Sequence, residues 1–311
     1  MPSPPLPIPF TVVIDDLLSV RPRSSFSIEE KNYLLSLLNG FEDGAWRSEV
    51  FERYIWDNIG ETALSSQERL SLCNQSYSSI SAAAKNLRLS DSPDDVGGGS
   101  EIAEILLYAI MKHHYKALPV VPKIFYKQNS QDYAKGADSV HIVLDGADDF
   151  SLWLGEAKFY NNIENSRFDA ILKSIGETLS AQKIRKENSI ITNLKDLELC
   201  ELPDGMLSKI RDLLSKDTSI DDIKPKLNVP ILLLHQCAET KKSTEMSKEY
   251  VDWIYQAHSE RATEFFSRKL AKIGSIHKFK EIKFHLLLLP VHNKEKIVER
   301  FKEHAALFKK P

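Results

Sequence analysis

Apolar and polar positions repeat along this chain with two different periods, and the alternation between them outlines a mixed fold. Apolar residues recur at helical spacing over Trp46–Ile59, Ser65–Gln75 and Ser78–Leu87, then from Ser100 to about Lys116, where Ile102, Ile105, Leu106, Ala109 and Ile110 form one stripe. Ser27–Gly40 reads as a further helix, with a capping-box spacing from Ser27 to Glu30 and a glycine stop. A long helix is expected from Ser166 to about Lys186, with others at Asp196–Leu214, Ser247–Ile273 and Lys294–Phe308. Strand-like runs occupy Val120–Tyr126, Asp138–Leu144, Phe150–Tyr160, Val229–Cys237 and Ile282–Val291. Residues 1–10 are proline-rich and read as an extended arm, and Ser90–Gly99 (SDSPDDVGGG) is the best boundary. The pattern predicts an α/β (α+β) chain: a mainly helical region over residues 1–96, then a domain over 97–311 with a central mixed sheet flanked by helices.

Candidate chemistry sits on one hairpin. Asp138–Leu144 and Phe150–Tyr160 flank the turn-rich DGADD at 145–149. With Ala147 at the turn centre, Leu144 faces Phe150, Ile142 faces Leu152, Val140 faces Leu154 and Asp138 faces Glu156. Period-two alternation puts these pairs on one face, which Lys158 extends, while Ser139, His141, Val143, Trp153, Gly155 and Ala157 occupy the other. Two facing carboxylates would have Cβ atoms roughly 4.5–5.5 Å apart and would repel unless compensated. A hard divalent cation such as Mg²⁺ or Mn²⁺ supplies that compensation, and Lys158 fits an ammonium that stabilises developing negative charge. The alternative is a rim ion cluster where the hairpin leaves the core.

Composition narrows the classes. The 311 residues carry 41 Lys+Arg against 44 Asp+Glu, with 42% hydrophobic and 27% charged residues, values that exclude a disordered or fibrous chain. Cys73, Cys200 and Cys237 form neither a disulfide framework nor a zinc spacing, which predicts a reducing, cytoplasmic setting. No apolar run approaches the roughly 20 residues of a membrane span, and the first residues lack the pattern of a secretory signal. Residues 241–311 hold 16 Lys+Arg against 9 Asp+Glu, so this basic quarter is either solvated helix surface or a phosphate-contacting face. There is no Walker loop, nucleophile elbow or His-Glu-x-x-His helix, so any ATP would be used by a partner.

The order of a helix with Glu, a strand with Asp, a strand with Glu-x-Lys and a further helix resembles the core of the PD-(D/E)xK nuclease superfamily, the restriction-endonuclease-like fold. The pieces are GGGSEIAEILLYAIM (97–111), KGADSVHI (135–142), LWLGEAKFY (152–160) and SRFDAILKSIGETLSAQKIRKE (166–187). The proline of the superfamily's name is replaced by Ala137. The wording GADSVHI…WLGEAKFY is more closely similar to HamA, a family of effector subunits of Hachiman anti-phage systems that work with a helicase subunit, HamB.

The resemblance implies a metal-dependent DNase of low sequence specificity, restrained by that helicase and released on sensing abnormal DNA. It implies Asp138 and Glu156 as ligands of Mg²⁺ or Mn²⁺, with the carbonyl of Ala157 as an extra ligand. Lys158 would orient the attacking water. Glu104 is the helix glutamate that the motif alignment selects, although it points away from the apolar stripe, and Glu101 lies one turn earlier.

Lys173, Lys183, Arg185 and Lys186 are candidate phosphate contacts. For the last three, a solvated helix end is an equal reading. Gln182 reads as a surface residue, and His141, His235, His285 and His292 as core or surface residues. Two rival functions remain: a catalytically silent nuclease-like module that docks a helicase or grips nucleic acid, and a sequence-specific restriction subunit. Retention of Asp, Glu and Lys together counts against the first, and the lack of a clear DNA-reading domain against the second. The 1–96 region is the expected partner-docking surface.

Overall fold

Three short runs are apolar at nearly every position: NYLLSLL at 32–38, PILLL at 230–234 and HLLLL at 285–289. Such strands are stable only with both faces covered, which places them in the middle of a sheet with helices on either side. The computed structural model, which describes residues 8–18, 31–89, 100–128, 136–193, 197–200 and 202–310, has this arrangement. Its strands are β1 (Thr11–Leu17), β2 (Asn32–Leu38), β3 (Phe41–Glu42), β4 (Ala45–Trp46), β5 (Leu118–Val121), β6 (Ser139–Leu144), β7 (Phe150–Tyr160), β8 (Leu227–Gln236) and β9 (Lys283–Val291). Seven of them form one sheet in the order β1-β2-β9-β8-β7-β6-β5, and β3 and β4 form a small separate pair. The four middle strands β2, β9, β8 and β7 are mutually parallel, and β1, β6 and β5 run antiparallel to their neighbours.

The helices are α1 (Ser48–Ala63), α2 (Ser66–Ser71), α3 (Ser76–Lys85), α4 (Ser100–His113), α5 (Lys123–Gln128), α6 (Asn165–Thr178), α7 (Ala181–Asn193), α8 (Met206–Leu213), α9 (Ile220–Ile223), α10 (Ala238–Lys242), α11 (Lys248–Ile273) and α12 (Lys294–Lys309). Alternate residues of the middle strands feed two cores. Ile231, Leu233, Leu286 and Leu288 join Phe168, Ile171 and Ile175 of α6 and Phe265 and Phe266 of α11. Leu232, Leu234, Leu287 and Leu289 join Ile102, Ile105 and Leu106 of α4 and Phe51 and Ile55 of α1. The sheet is therefore the middle of three layers, the α/β restriction-endonuclease-like architecture expected, with helices α1–α3 in the N-terminal part.

Several boundaries differ from the expectation. The helix expected over 27–40 is instead strand β2 over Asn32–Leu38, and its proposed cap, Ser27 to Glu30, lies outside the described residues. A seven-residue apolar run carries no periodicity of its own; the slot between β1 and β9, which pairs Asn32 with Phe284 and Ser36 with Leu288, decides it. The sheet thus spans both 1–96 and 97–311. The strand expected over Val120–Tyr126 is β5 followed at once by α5. The long helix after Glu-x-Lys is two helices, because the N–H and the hydroxyl of Ser180 both donate to the carbonyl of Glu177 and close α6. α7 then runs on to Asn193, so Lys183, Arg185 and Lys186 lie within a helix and not at its end. Among the described residues of the helix expected over 196–214, an α-helix forms over Met206–Leu213, after Pro203 and the left-handed Gly205 (φ 75°). The boundary Ser90–Gly99 and most of the proline-rich arm fall outside the described residues.

Many cations of the basic C-terminal quarter bind within the chain. Arg268 pairs with Glu264 and Asp169, Arg300 with Glu52, and Lys309 and Lys294 donate to the carbonyls of Leu87 and Phe159. Cys73, Cys200 and Cys237 are free thiols, and among the described residues no helix is long and apolar enough to cross a membrane.

Candidate active site

The turn DGADD closes the β6–β7 hairpin in the expected register: Leu144 opposite Phe150, Ile142 opposite Leu152 and Val140 opposite Leu154. Asp138 stands just before β6, and its N–H donates to the carbonyl of Gly155 (2.8 Å). β7 continues past this point against β8, pairing Glu156 with Ile231 and Lys158 with Leu233. The strand therefore keeps one neighbour and loses the other, and the site lies in the notch where β6 has ended. Gly155 has a steric reason to precede the glutamate: a Cβ there would meet Ser139 Oγ at 2.2 Å and Leu107 Cδ2 at 2.8 Å. Where β6 is missing, the N–H of Ala157 donates to Asp138 Oδ2 (3.1 Å), so a side chain takes the place of a strand partner.

Lys158 joins the two acids. Its Nζ is 3.1 Å from Asp138 Oδ2 and 2.7 Å from Glu156 Oε1. Glu156 is 5% exposed, and burial, with the charge of Asp138 added, raises its pKa against the opposing pull of Lys158 and a hydrogen bond from Ser174. Burial works against the Lys158 ammonium too, but the charges of Asp138 and Glu156 outweigh it and raise its pKa. The pair of acids thus holds a cation tightly, with the ammonium in that place. This donor set fits a hard divalent cation: two converging carboxylates in a half-buried notch.

Sequence reasoning missed two neighbours. Ser174 of α6 donates to Glu156 Oε1 (2.8 Å). Its signal was a small polar residue three positions after Ile171, on the stripe that α6 turns to the sheet. The guanidinium of Arg167 lies 5.3 Å from the ring centre of Tyr160, two residues beyond Lys158. Burial raises the pKa of Tyr160, and the nearby Lys158 and Arg167 cations oppose that rise.

Glu104 is 7% exposed, because α4 is buried at every position from Ile102 to Met111; amphipathicity had made it a solvated residue. Glu101 accepts the backbone N–H groups of Arg88 (2.8 Å) and Leu89 (3.0 Å). Among the described residues no group of three or more His, Cys, Asp and Glu could hold a metal, so Glu104 does not complete such a group with Asp138 and Glu156. Lys173 is exposed on α6 beside Ser174, and Lys183 and Lys186 are half-buried on α7. Arg185 donates to the carbonyl of Lys216 (2.9 Å) and lines a cavity of about 410 Å³ with Arg211 and Lys216. Gln182 is exposed.

A mixed sheet with Asp at the start of one strand, Glu-x-Lys on the next and a covering helix on each side is the architecture of the PD-(D/E)xK nucleases. The HamA family profile matches residues 13–305, and the chain belongs to the HamA family. Membership supports an effector role of nuclease type in phage defence. No curated protein matches the chain.

Proposed function

We propose that this chain is a metal-dependent DNA endonuclease that hydrolyses phosphodiester bonds with little sequence preference, as the effector of an anti-phage system whose helicase partner restrains and releases it. The observation that carries the reading is the ammonium of Lys158 held between Asp138 and Glu156 in the notch beside β7. Asp138 and Glu156 would hold Mg²⁺ or Mn²⁺. The Ala157 carbonyl is a fitting third oxygen, since the N–H and C=O of one strand residue leave by the same edge and this N–H points to Asp138. When bound, the metal supplies Lewis acidity and a bound water of lowered pKa. Lys158 carries three donors, enough to orient an attacking water and to stabilise charge growing on the phosphate.

Lys173 is the proposed phosphate contact nearest the site, next in sequence to the Ser174 that touches Glu156. Lys183, Arg185 and Lys186 would extend that contact along α7, and Glu104 acts, in this reading, from α4. The docking surface for the helicase is proposed on the 1–96 segment, where Leu70 of α2 and Tyr77 of α3 are each 63% exposed. The cytoplasm is the compartment in which such an effector meets its substrate, and the three free thiols suit it.

The test is metal removal. The purified chain, alone or with its co-encoded helicase, is expected to nick supercoiled plasmid in Mg²⁺ and to stop in EDTA, with activity restored by added Mg²⁺ or Mn²⁺. Absence of nicking under every combination would leave the silent docking module as the better account. Ser174→Ala is expected to slow nicking by about 10–100-fold and to raise the Mg²⁺ concentration needed for half-maximal rate, because it leaves Lys158 alone to orient Glu156 Oε1. A rate and Mg²⁺ midpoint equal to the parent's would remove Ser174 from the site.

A further inference from the structure

A buried ion pair lies behind Asp138. Lys123 of α5 and Glu187 of α7 are 2% and 1% exposed, with Nζ and Oε2 2.7 Å apart. The other carboxylate oxygen, Glu187 Oε1, accepts the backbone N–H of Ala137 (3.1 Å), the residue immediately before Asp138. The contact is close: a Cβ added to Gly136 would come within 1.9 Å of Glu187 Oε1. Removing two charges from water is costly, and a packed apolar pair would serve stability as well or better. What an apolar pair cannot do is accept an N–H. Ala137 precedes β6, which begins at Ser139, so the carboxylate takes the place of a strand partner for this peptide.

We infer that Glu187, fixed by Lys123, is a positioning residue that sets the path of Gly136–Ala137 and so the place of the Asp138 carboxylate. The inference rests on the reading of Asp138 as a metal ligand. Each acid of the site then has its own support from the helical layer: Ser174 of α6 for Glu156, and Glu187 of α7 for Asp138.

The experiment compares two double variants of the full chain, with Mn²⁺ affinity read by titration calorimetry and folding by thermal denaturation. Lys123→Met/Glu187→Gln removes both charges but keeps an amide oxygen for the Ala137 N–H. Lys123→Met/Glu187→Met removes the acceptor as well. The first is expected to bind Mn²⁺ within about threefold of the parent and the second about 10–100-fold more weakly, at similar melting temperatures. Equal affinities in the two variants would overturn the proposal, since an ion pair that only stabilises the fold does not distinguish them. Should the Met/Met chain not fold, Gly136→Ala keeps both charges and displaces the carboxylate from the peptide, and carries the same expected loss of affinity, with parental affinity overturning it. Asp138→Ala separates the two levels of inference. Mn²⁺ binding that survives Asp138→Ala refutes the metal site itself, whereas binding lost there but intact in Met/Met refutes only the role of Glu187.

Discussion

Glu156→Ala and Lys158→Ala are each expected to reduce Mg²⁺-dependent nicking by about 10²–10⁴-fold, and to do so by different routes. Glu156 is one of two carboxylates in the notch, so its loss removes one of the two groups proposed to hold the cation. Mn²⁺ binding and cleavage should disappear together. Lys158 offsets part of the charge of the same pair. Its loss leaves the two acids facing each other, and burial together with the charge of Asp138 then pushes Glu156 further towards its protonated form. A divalent cation restores the balance, so Lys158→Ala should still bind Mn²⁺, more tightly at pH 8 than at pH 6, while cleavage is lost. Calorimetry and plasmid nicking on the same preparations check this split. Undiminished cleavage by both variants would refute the assignment, and loss of Mn²⁺ binding in Lys158→Ala would make the lysine part of the binding site instead of the reaction.

The hairpin that bears these residues was legible because its information is local. DGADD is a turn signal, the flanking runs alternate, and the rungs from Leu144–Phe150 to Val140–Leu154 follow from counting. The face shared by Asp138, Glu156 and Lys158 follows in the same way. β8 and β9 were legible for a related reason, since leucine runs of that length have no solvent face to offer. β2 was not, because NYLLSLL suits a buried helix as well as a buried strand, and the decision lies more than 240 residues away, in β9. The supports of the site were hidden on the same grounds. Ser174 and Glu187 reach Glu156 and Ala137 only through the packing of α6 and α7, and the break at Ser180 that separates those helices depends on one serine bonding back to Glu177. The motif alignment selected Glu104 against the stripe on its own helix, and the stripe is the criterion that fails when α4 is buried at every position from Ile102 to Met111.

Lowering the pH from 7 to 5 is expected to remove several kcal/mol of stability, through histidines that give no sign of this in the sequence. His141, packed on Tyr108 at 4.6 Å between ring centres, and His285, between Tyr33 and Trp153, are pushed down to about 3 by burial. His235 is pushed down to about 4 by burial, and His258 is lowered by burial and by His235, whose Nε2 lies 3.2 Å from its own. That last contact needs one ring to donate and the other to accept, and a proton added to either ring removes the acceptor. In the unfolded chain all four titrate near 6.5, so each contributes stability that is complete above that pH and is lost as pH falls towards the folded value. At pH 5 the loss is about 2 kcal/mol for each of His141, His235 and His285, against a typical total of 5–15 kcal/mol, and His258 adds in the same direction. Glu156, Glu52 and Asp57 act in the opposite sense. Their pKa values are raised, chiefly by burial, so protonation on acidification relieves a cost in the folded state and offsets part of the loss. Urea denaturation at pH 7, 6 and 5 measures the balance. The midpoint should fall at each step, and His141→Phe, which removes one titrating ring while keeping an aromatic contact with Tyr108, should flatten the dependence. A midpoint that does not move between pH 7 and 5, in the parent and in His141→Phe alike, would mean that the rings are not buried in their neutral form.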